Sequence, residues 1–390
     1  MKKKSISILG STGSIGQTTL EIIDKKFFLF NIFLLSANKN YSLICKQIKK
    51  YKPVYFVITD NKIYKKIKFK FSNTKTKLLN NFSSINLQKK IDVSISAIPG
   101  IAGLSPTILF TKFSKKVLIA NKESIICGWN LIKKNAQKNK TKIVPIDSEH
   151  FSISKLLENH KLDEIKKIFI TASGGPFLNY NINQFKRIKP KDALKHPKWK
   201  MGKKISIDSS SLMNKIFELI EAQKLFNIPD NKIDILVHPN SLVHAIIELK
   251  NGLTKFMYHE TSMIIPIANA IFDNNLHISE FYSSNKKQKL SNQNLIFKEV
   301  DKKIFPIIKL KKKLNEFPSS SIIVNASNEI LVDMFLRKKI PFLGIFKGIQ
   351  TILNNRNYKK YAIRKPKKLS QIKEIDHWAR NITMKNLIRK

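Results

Sequence analysis

Two carboxylates stand almost side by side in the segment VPIDSEHFS, residues 144–152 of this 390-residue chain. Asp147 and Glu149 are two of only 27 acidic residues, against 72 lysines and arginines. If the chain stays extended here, alternate side chains project to the same side, and the two carboxylates face one point. Hard divalent cations such as Mg²⁺ and Mn²⁺ require oxygen ligands of this kind. The spacing therefore predicts part of a metal site that needs at least one further ligand.

A third carboxylate is available on SSSLMNKIFELIEAQKLF, residues 209–226, whose apolar period predicts one long helix. Asn214, Glu218 and Glu221 fall on one polar stripe of that helix, beside an apolar stripe. Either glutamate could complete the metal site or be an ordinary surface acid. The stripe thus predicts where the missing ligand lies without choosing between the two.

The beginning of the same helix has the composition of an anion site. Asn214 and Lys215 follow the serines of DSSS, residues 208–211, whose hydroxyls are also common helix caps. A lysine, an amide and hydroxyls at a helix N-terminus suit a phosphate group. Ser173, before the glycine pair of TASGGPF, predicts a second anion-binding turn at a strand end.

Two other segments place polar residues where a ligand is expected. ANKES, residues 120–124, ends a strand with Asn121, Lys122 and Glu123. In HPKWKMG, residues 196–202, Trp199 lies among polar and helix-breaking residues. The tryptophan is either a buried anchor or part of a mobile lid over a ligand, with the lid formed by residues 193–203.

A glycine-rich turn, GSTGSIG, follows the first predicted strand and opens a helix. Its three-residue glycine spacing allows a tight turn, close approach of a pyrophosphate and close packing of helix on strand. The second strand ends in LLSANKN, where Ser36, Asn38, Lys39 and Asn40 replace the acid typical of NAD sites. A carboxylate would repel a 2′-phosphate, so the segment favours NADPH over NADH.

The positive charge does not by itself indicate a nucleic-acid-binding protein. The excess is almost all lysine, with only 6 arginines, and it is spread along nearly the whole chain. Nucleic-acid sites favour arginine for bidentate contacts. There is no apolar run long enough to span a membrane. The two cysteines, Cys45 and Cys127, form no disulfide framework, which favours a reducing, cytoplasmic location.

The order of the predicted elements indicates an α/β protein with three parts and a linker. Short apolar runs alternate with amphipathic segments up to residue 150, which predicts a Rossmann-like, doubly wound parallel sheet. Residues 151–272 predict an α+β catalytic domain, residues 273–300 a polar linker, and residues 301–390 a C-terminal helical bundle domain.

These motifs together resemble the 1-deoxy-D-xylulose 5-phosphate reductoisomerase family. GSTGSIG, ANKES, DSEH, SGGPF, HPKWKMGKKISIDSSSLMNK, EAQKLFN and HPNSLVH occur in the family's order and spacing over nearly all of the first 270 residues. The resemblance weakens afterwards, where NASNEI near residue 325 is the clearest match. It implies a homodimer that acts on a small sugar phosphate, with no nucleic-acid or membrane partner.

The resemblance also implies a role for each matched position. The predicted NADPH contacts are Thr12, Gly13, Ser14, Ile15, Asn38, Lys39, Asn40, Asn121, Glu123 and Gly202. Asp147, Glu149 and Glu218 would bind Mg²⁺ or Mn²⁺. The substrate contacts would be Lys122, Ser148, Glu149, Ser173, His196, Ser209, Asn214, Lys215 and Glu218, of which Lys122, Glu149 and Glu218 are the catalytic residues.

The implied reaction belongs to non-mevalonate isoprenoid biosynthesis. 1-Deoxy-D-xylulose 5-phosphate is rearranged, by retro-aldol cleavage and recombination, and reduced with NADPH to 2-C-methyl-D-erythritol 4-phosphate. Another NADPH-linked dehydrogenase of a phosphorylated metabolite is the alternative, and it would need no set of three carboxylates. A nucleic-acid-binding protein on the same scaffold and an inactive relative are further alternatives. The intact site residues argue against the last.

Overall fold

The structure is a computed structural model that describes residues 3–87, 89–197, 199, 202–283 and 294–388. Lys198, Lys200 and Met201 of the predicted lid lie outside the described residues, as do residues 284–293 of the predicted linker.

The strands in the described part of the chain are β1 Lys4–Leu9, β2 Phe30–Ala37, β3 Tyr55–Ile58, β4 Lys77–Leu79, β5 Ile91–Ser96, β6 Ser114–Ile119, β7 Lys142–Pro145, β8 Ile165–Ala172, β9 Ile233–Val237, β10 Val243–Leu249, β11 Thr254–Tyr258 and β12 Lys298–Glu299. The helices there are α1 Ser14–Lys25, α2 Tyr41–Tyr51, α3 Asn61–Lys70, α4 Leu104–Phe113, α5 Lys122–Lys138, α6 Ser148–Leu157, α7 Ile182–Phe185, α8 Pro190–Ala193, α9 Lys203–Ser210, α10 Met213–Phe226, α11 Ile264–Phe272, α12 Leu310–Glu316, α13 Ser320–Leu336, α14 Phe342–Leu353, α15 Tyr358–Ala362 and α16 Leu369–Ile388.

These elements form two compact units. The first contains residues 1–124, 130–151 and 262–286, and the second contains residues 125–129, 152–261 and 287–390. The segment that carries α11 therefore packs with the first unit, although it lies in sequence between β11 and β12 of the second. The boundaries set from the sequence at residues 150, 272 and 300 stay a prediction.

The first unit is built on a parallel sheet with the strand order β4-β3-β2-β1-β5-β6-β7. The order reverses at β1, which pairs with β2 on one side and β5 on the other. Such a reversal opens a crevice at the carboxyl ends of the strands. The apolar strand faces bury against the helices, and the core also takes in Ile267 and Ile271 of α11.

The second unit has a mixed sheet in the order β11-β10-β8-β9-β12. β8 and β9 are parallel, whereas β10, β11 and β12 each pair antiparallel with a neighbour. The C-terminal helices α12–α16 belong to the same unit, where aromatic rings such as Phe177, Phe185 and Phe342 pack edge to face or tilted. The predicted α/β fold, with a doubly wound sheet, a second α+β part and a helical C-terminal region, is confirmed.

The helix predicted for residues 209–226 is wrong in one respect, because the structure divides it. α9 ends at Ser210 and α10 begins at Met213. Between them Leu212 has a φ of 63° in the left-handed region, which costs a non-glycine residue roughly 1–2 kcal/mol. Leu212 is nevertheless buried, at 2% exposure, so packing holds the backbone in this conformation. The break gives α10 an N-terminus of its own.

Candidate active site

The glycine-rich turn lies where the first sheet reverses its strand order. Gly10, directly after β1, has a φ of 91°, and a Cβ there would lie 2.8 Å from the carbonyl oxygen of Ala97 after β5. A Cβ on Gly16 would lie 2.3 Å from the carbonyl oxygen of Gly10. No side chain caps the N-terminus of α1. The turn is thus compact and presents a helix N-terminus suited to a pyrophosphate.

The end of β2 is joined to this turn. The Ser36 hydroxyl accepts a hydrogen bond from the Gly10 amide at 2.9 Å. Asn38 donates to the Thr59 hydroxyl at 2.7 Å, and Asn40 caps α2 by accepting from the Leu43 amide at 3.2 Å. Lys39 is exposed. No carboxylate stands between residues 36 and 40, so this edge fits a 2′-phosphate better than a free hydroxyl.

Asn121 connects two loops at the same edge of the sheet. Its carboxamide oxygen caps α5 by accepting from the Ser124 amide at 2.6 Å, and its amide nitrogen donates to the carbonyl oxygen of Gly100 at 3.1 Å. Glu123 lies in the first turn of α5 and is buried. Asn121 therefore holds the loop after β5 against the beginning of α5. This structural role is separate from its predicted contact with NADPH.

The paired acids stand at the beginning of a helix rather than on an extended segment. Asp147 precedes α6, and its backbone carbonyl accepts from the Phe151 amide at 2.8 Å. Its carboxylate oxygen Oδ1 accepts from the Glu149 amide at 3.2 Å, as an N-cap aspartate does. The expected extended geometry is therefore wrong, because the cap favours a helical turn directly after Asp147.

Other groups hold the Asp147 carboxylate in place. His150 Nδ1 lies 3.0 Å from Oδ1, and Lys122 Nζ lies 3.5 Å from Oδ2. His150 is completely buried. The Ser148 hydroxyl donates to Glu149 Oε2 at 2.5 Å. The contact made by His150 was not predicted from the sequence, where the only signal was its position directly after the acids.

On α10, Asn214 and Lys215, which the sequence predicts to bind a phosphate, also contact a carboxylate. Lys215 Nζ lies 2.6 Å from Glu218 Oε2, and the Asn214 amide donates to Glu218 Oε1. All three residues are at least nine-tenths buried. Glu221 is buried as well, at 1% exposure, so neither glutamate is a surface acid.

One group of acids in the described part of the chain could hold a metal ion together. Asp147, Glu149 and Glu218 each offer one carboxylate oxygen, and the three oxygens lie within 4.8 Å of one another. Three carboxylates form the hard oxygen donor set that Mg²⁺ and Mn²⁺ prefer. Glu221 is not in this group.

The turn after β8 brings Ser173 to a histidine. Gly174 and Gly175 both have positive φ, 81° and 64°, and the Gly175 amide donates to Ser173 Oγ at 3.1 Å. His196 Nε2 lies 3.2 Å from the same oxygen. Because His196 Nδ1 accepts from the Trp199 amide at 2.9 Å, a neutral His196 carries its proton on Nε2 and donates it to Ser173. The Ser173 hydroxyl proton then remains to bond an anion.

His196 is neutral at physiological pH. Burial, together with the positive charge of Lys215, lowers the pKa of His196 to about 4. A neutral imidazole positions Ser173 without adding charge.

Ser209 lies near the same turn, in the last turn of α9. A Cβ on Gly175 would lie 3.1 Å from the Ser209 carbonyl oxygen, so the glycine pair and α9 pack closely. Ser209 itself is partly exposed. Gly202 stands at the N-cap of α9 with open space around it. The rings of Trp199 and His244 are inclined at 70° in an edge-to-face arrangement, with their centroids 6.4 Å apart.

Comparisons with known proteins cover almost the whole chain. A family model of 1-deoxy-D-xylulose 5-phosphate reductoisomerase matches residues 6–128, and two models of its C-terminal domains match residues 143–226 and 259–382. A reductoisomerase of this name from Pelagibacter ubique (strain HTCC1062) is 44% identical over 96% of this chain and 97% of its own length. The protein of the same name from Wolbachia pipientis wMel is 40% identical over 90% of each chain.

Solved structures of reductoisomerases are also similar to this chain. The crystal structure of a DOX-P reductoisomerase in complex with NADPH, fosmidomycin and magnesium has a TM-score of 0.91, with 31% identity and 98% of each chain covered. The Zymomonas mobilis reductoisomerase in complex with NADPH has a TM-score of 0.88, with 30% identity and 99% of each chain covered. The chain belongs to the 1-deoxy-D-xylulose 5-phosphate reductoisomerase family.

Proposed function

We propose that this chain is an NADP-dependent oxidoreductase that converts 1-deoxy-D-xylulose 5-phosphate to 2-C-methyl-D-erythritol 4-phosphate. It uses NADPH and a divalent metal ion, and it acts in non-mevalonate isoprenoid biosynthesis. Family membership over nearly the whole chain supports the reaction. The observation that carries the proposal within the site is the group of Asp147, Glu149 and Glu218 carboxylates.

The metal ion is assigned to these three carboxylates. The donor set fits Mg²⁺ or Mn²⁺, and related structures contain magnesium. When bound, the ion supplies Lewis-acid polarisation of the carbonyl and neighbouring hydroxyl oxygens of the substrate. His150 and the Glu149 amide hold Asp147 through their contacts with Oδ1. Ser148, bonded to Glu149, is placed to exchange that bond for one to a substrate hydroxyl.

Lys122 offsets negative charge that develops on the substrate oxygens. The Lys122 side chain is nine-tenths buried, and its Nζ lies 3.5 Å from Asp147 Oδ2. In such a water-poor site a fixed positive charge stabilises an oxyanion more strongly than it would in water. Lys122, Glu149 and Glu218 are therefore the residues we assign to catalysis.

The substrate phosphate is assigned to Ser173, Ser209, Asn214 and Lys215. Lys215 supplies charge, Ser173 supplies a hydroxyl proton oriented by His196, and α10 supplies an N-terminus beside Leu212. This grip fixes the phosphate end of the substrate and so holds the reacting carbons in place during cleavage and recombination. The segment around Trp199 is proposed as the lid that excludes water.

NADPH is assigned to the turn at residues 12–15, to residues 38–40, and to Asn121, Glu123 and Gly202. When bound, it supplies the hydride. The uncapped α1 N-terminus and the absence of a carboxylate at residues 36–40 support this assignment. Relatives of known structure contain NADPH.

The assembly and location are also proposals. The family resemblance supports a homodimer in the cytoplasm. Neither Cys45 nor Cys127 is in a disulfide, which fits a reducing compartment. No helix among the described residues is both long enough and apolar enough to cross a membrane.

Product identification tests the reaction directly. The purified chain, incubated with 1-deoxy-D-xylulose 5-phosphate, NADPH and Mg²⁺, should give 2-C-methyl-D-erythritol 4-phosphate, identified by mass spectrometry and ³¹P NMR against a standard. Reduction of the unrearranged ketose would instead support the alternative, a dehydrogenase of a phosphorylated metabolite.

A further inference from the structure

The buried carboxylate of Asp208 lies next to one of the proposed phosphate contacts. Asp208 is 2% exposed and precedes Ser209 in α9. A charge removed from water must be paired and hydrogen-bonded. Lys204, one turn earlier on the same helix, supplies an ion pair of 2.9 Å.

A second bond to this carboxylate comes from a distant part of the sequence. Asn328, in α13, donates from Nδ2 to Asp208 Oδ1 at 2.8 Å. Asn328 is completely buried and belongs to the NASNEI segment, for which the reaction itself gives no role. A carboxylate accepts but does not donate, so the amide must present its nitrogen to Asp208. In the part of the chain that the structure describes, no donor reaches the Asn328 carboxamide oxygen.

The bond lies at the end of α9, where Asp208 is buried together with its neighbours Ile207 and Ser210. The helix is eight residues long, and such a helix is marginal without tertiary contacts. After Ser210 the backbone passes through Ser211 and the left-handed Leu212. Ser209 therefore depends on the contacts of its neighbours for its position against the Gly174–Gly175 turn, where the Ser209 carbonyl packs on Gly175.

We propose that Asn328 is a positioning residue for the phosphate pocket. It fixes the position of Asp208 and, through the backbone of α9, the position of Ser209 relative to Ser173. This inference rests on the proposed function, because Ser209 is assigned to the substrate phosphate there. The C-terminal helical region thereby contributes to substrate affinity through a residue that does not contact the substrate.

The test compares Asn328→Leu with Ser327→Ala. Ser327 is the neighbouring buried residue on α13, but its hydroxyl accepts from Thr383 of α16 instead of reaching α9. Loss of a hydrogen bond to a buried charge should raise KM for 1-deoxy-D-xylulose 5-phosphate about tenfold in Asn328→Leu. KM for NADPH should stay unchanged, and kcat should change less than KM. Ser327→Ala should leave both KM values unchanged. Equal KM values for the sugar phosphate in the two variants would overturn the proposal.

Binding of inorganic phosphate, measured by calorimetry, separates this inference from the reaction. Asn328→Leu should weaken phosphate binding by a similar factor even if the wild-type chain fails to turn over the sugar phosphate. Wild-type affinity for phosphate in the variant would refute the role of Asn328 while leaving the proposed reaction intact.

An exchange of the two side chains covers the case in which Asn328→Leu does not fold. The double variant Asp208→Asn/Asn328→Asp restores one amide and one carboxylate at the same distance. It should recover most of the phosphate affinity that Asp208→Asn alone loses. A folded double variant with no recovery would show that the bond does not position Ser209.

Discussion

His150 Nδ1 lies 3.0 Å from Asp147 Oδ1, and the imidazole is completely buried. Asp147 Oδ2 faces Lys122, so both oxygens of this carboxylate have partners within the first unit. Groups that orient a ligand in this way commonly contribute 10–100-fold to metal affinity. We propose that His150 orients Asp147 and takes no part in proton transfer.

Replacing His150 tests this assignment. His150→Phe should raise the Mg²⁺ concentration needed for half-maximal activity by roughly tenfold or more, because Asp147 loses its orienting contact. His160→Ala is the matched control, since His160 pairs with Glu164 instead. An unchanged metal requirement in a folded His150→Phe protein would contradict the assignment.

The two glutamates of α10 should differ sharply. Glu218→Gln should weaken metal binding and nearly abolish turnover without unfolding the protein, because an amide is a poorer ligand than a carboxylate for a hard cation. Glu221→Gln, equally buried on the same helix, should keep the wild-type metal requirement. A near-normal rate for Glu218→Gln at saturating metal would remove Glu218 from the site.

Two glycines of the nucleotide turn should respond in different ways to alanine. A Cβ on Gly13 would lie 3.4 Å from Gly10 O, an ordinary contact, whereas a Cβ on Gly16 would lie 2.3 Å from the same atom. Gly16→Ala should therefore lower the melting temperature and the affinity for NADPH. Gly13→Ala should fold normally and affect only NADPH binding. Equal melting temperatures, measured by calorimetry, would contradict this difference.

Cofactor choice should depend on charge at the end of β2. Asn38→Asp keeps a bond to Thr59, whose hydroxyl can donate to the new carboxylate in place of accepting from the amide. The added negative charge should lower the preference for NADPH over NADH by roughly tenfold, or about 1.4 kcal/mol. The ratio of kcat/KM for the two cofactors measures the effect. An unchanged ratio would show that the 2′-phosphate does not bind near Asn38.

A partly buried lysine should make the free energy of unfolding depend on pH in the alkaline range. Lys224 donates from Nζ to the carbonyl of Ile126 and to Ser321 Oγ, close to the irregular turn of α5 at Gly128. Burial lowers the pKa of Lys224 from 10.5 to about 8, although the nearby Cys127 acts in the opposite direction. Between these two values the unfolded chain binds more protons than the folded one, so stability should rise with pH.

Chemical denaturation at several pH values measures that rise. Lys224→Met should remove this increase in the free energy of unfolding between pH 8 and pH 10.5. Lys313→Met, at an exposed lysine paired with Glu316, should keep it. The same pH slope in Lys224→Met as in the wild type would show that the ammonium titrates normally.

The sequence was most informative where local pattern determines structure. The alternation of apolar runs predicted the doubly wound sheet, and GSTGSIG predicted the turn after β1, since both depend on short-range periodicity and glycine geometry. The motif order predicted the family over residues where the family models also match.

Features set by tertiary contacts were not predicted. Apolar periodicity continues through Leu212, so nothing in the pattern marked the left-handed residue that separates α9 from α10. The extended geometry expected after Asp147 gave way to a capped helix. The return of residues 262–286 to the first unit and the bond from Asn328 to Asp208 join segments that are distant in sequence. The roles of the individual site residues stay predictions, tested by the variants above.

The most direct test of the proposed reaction is the oxidation of NADPH by the purified chain, followed by the absorbance of NADPH. We expect oxidation only when 1-deoxy-D-xylulose 5-phosphate and Mg²⁺ or Mn²⁺ are both present. The activity should be lost with EDTA and should return when excess metal is added. Absence of oxidation that depends on this substrate, or a rate undiminished by EDTA, would contradict the proposed reaction.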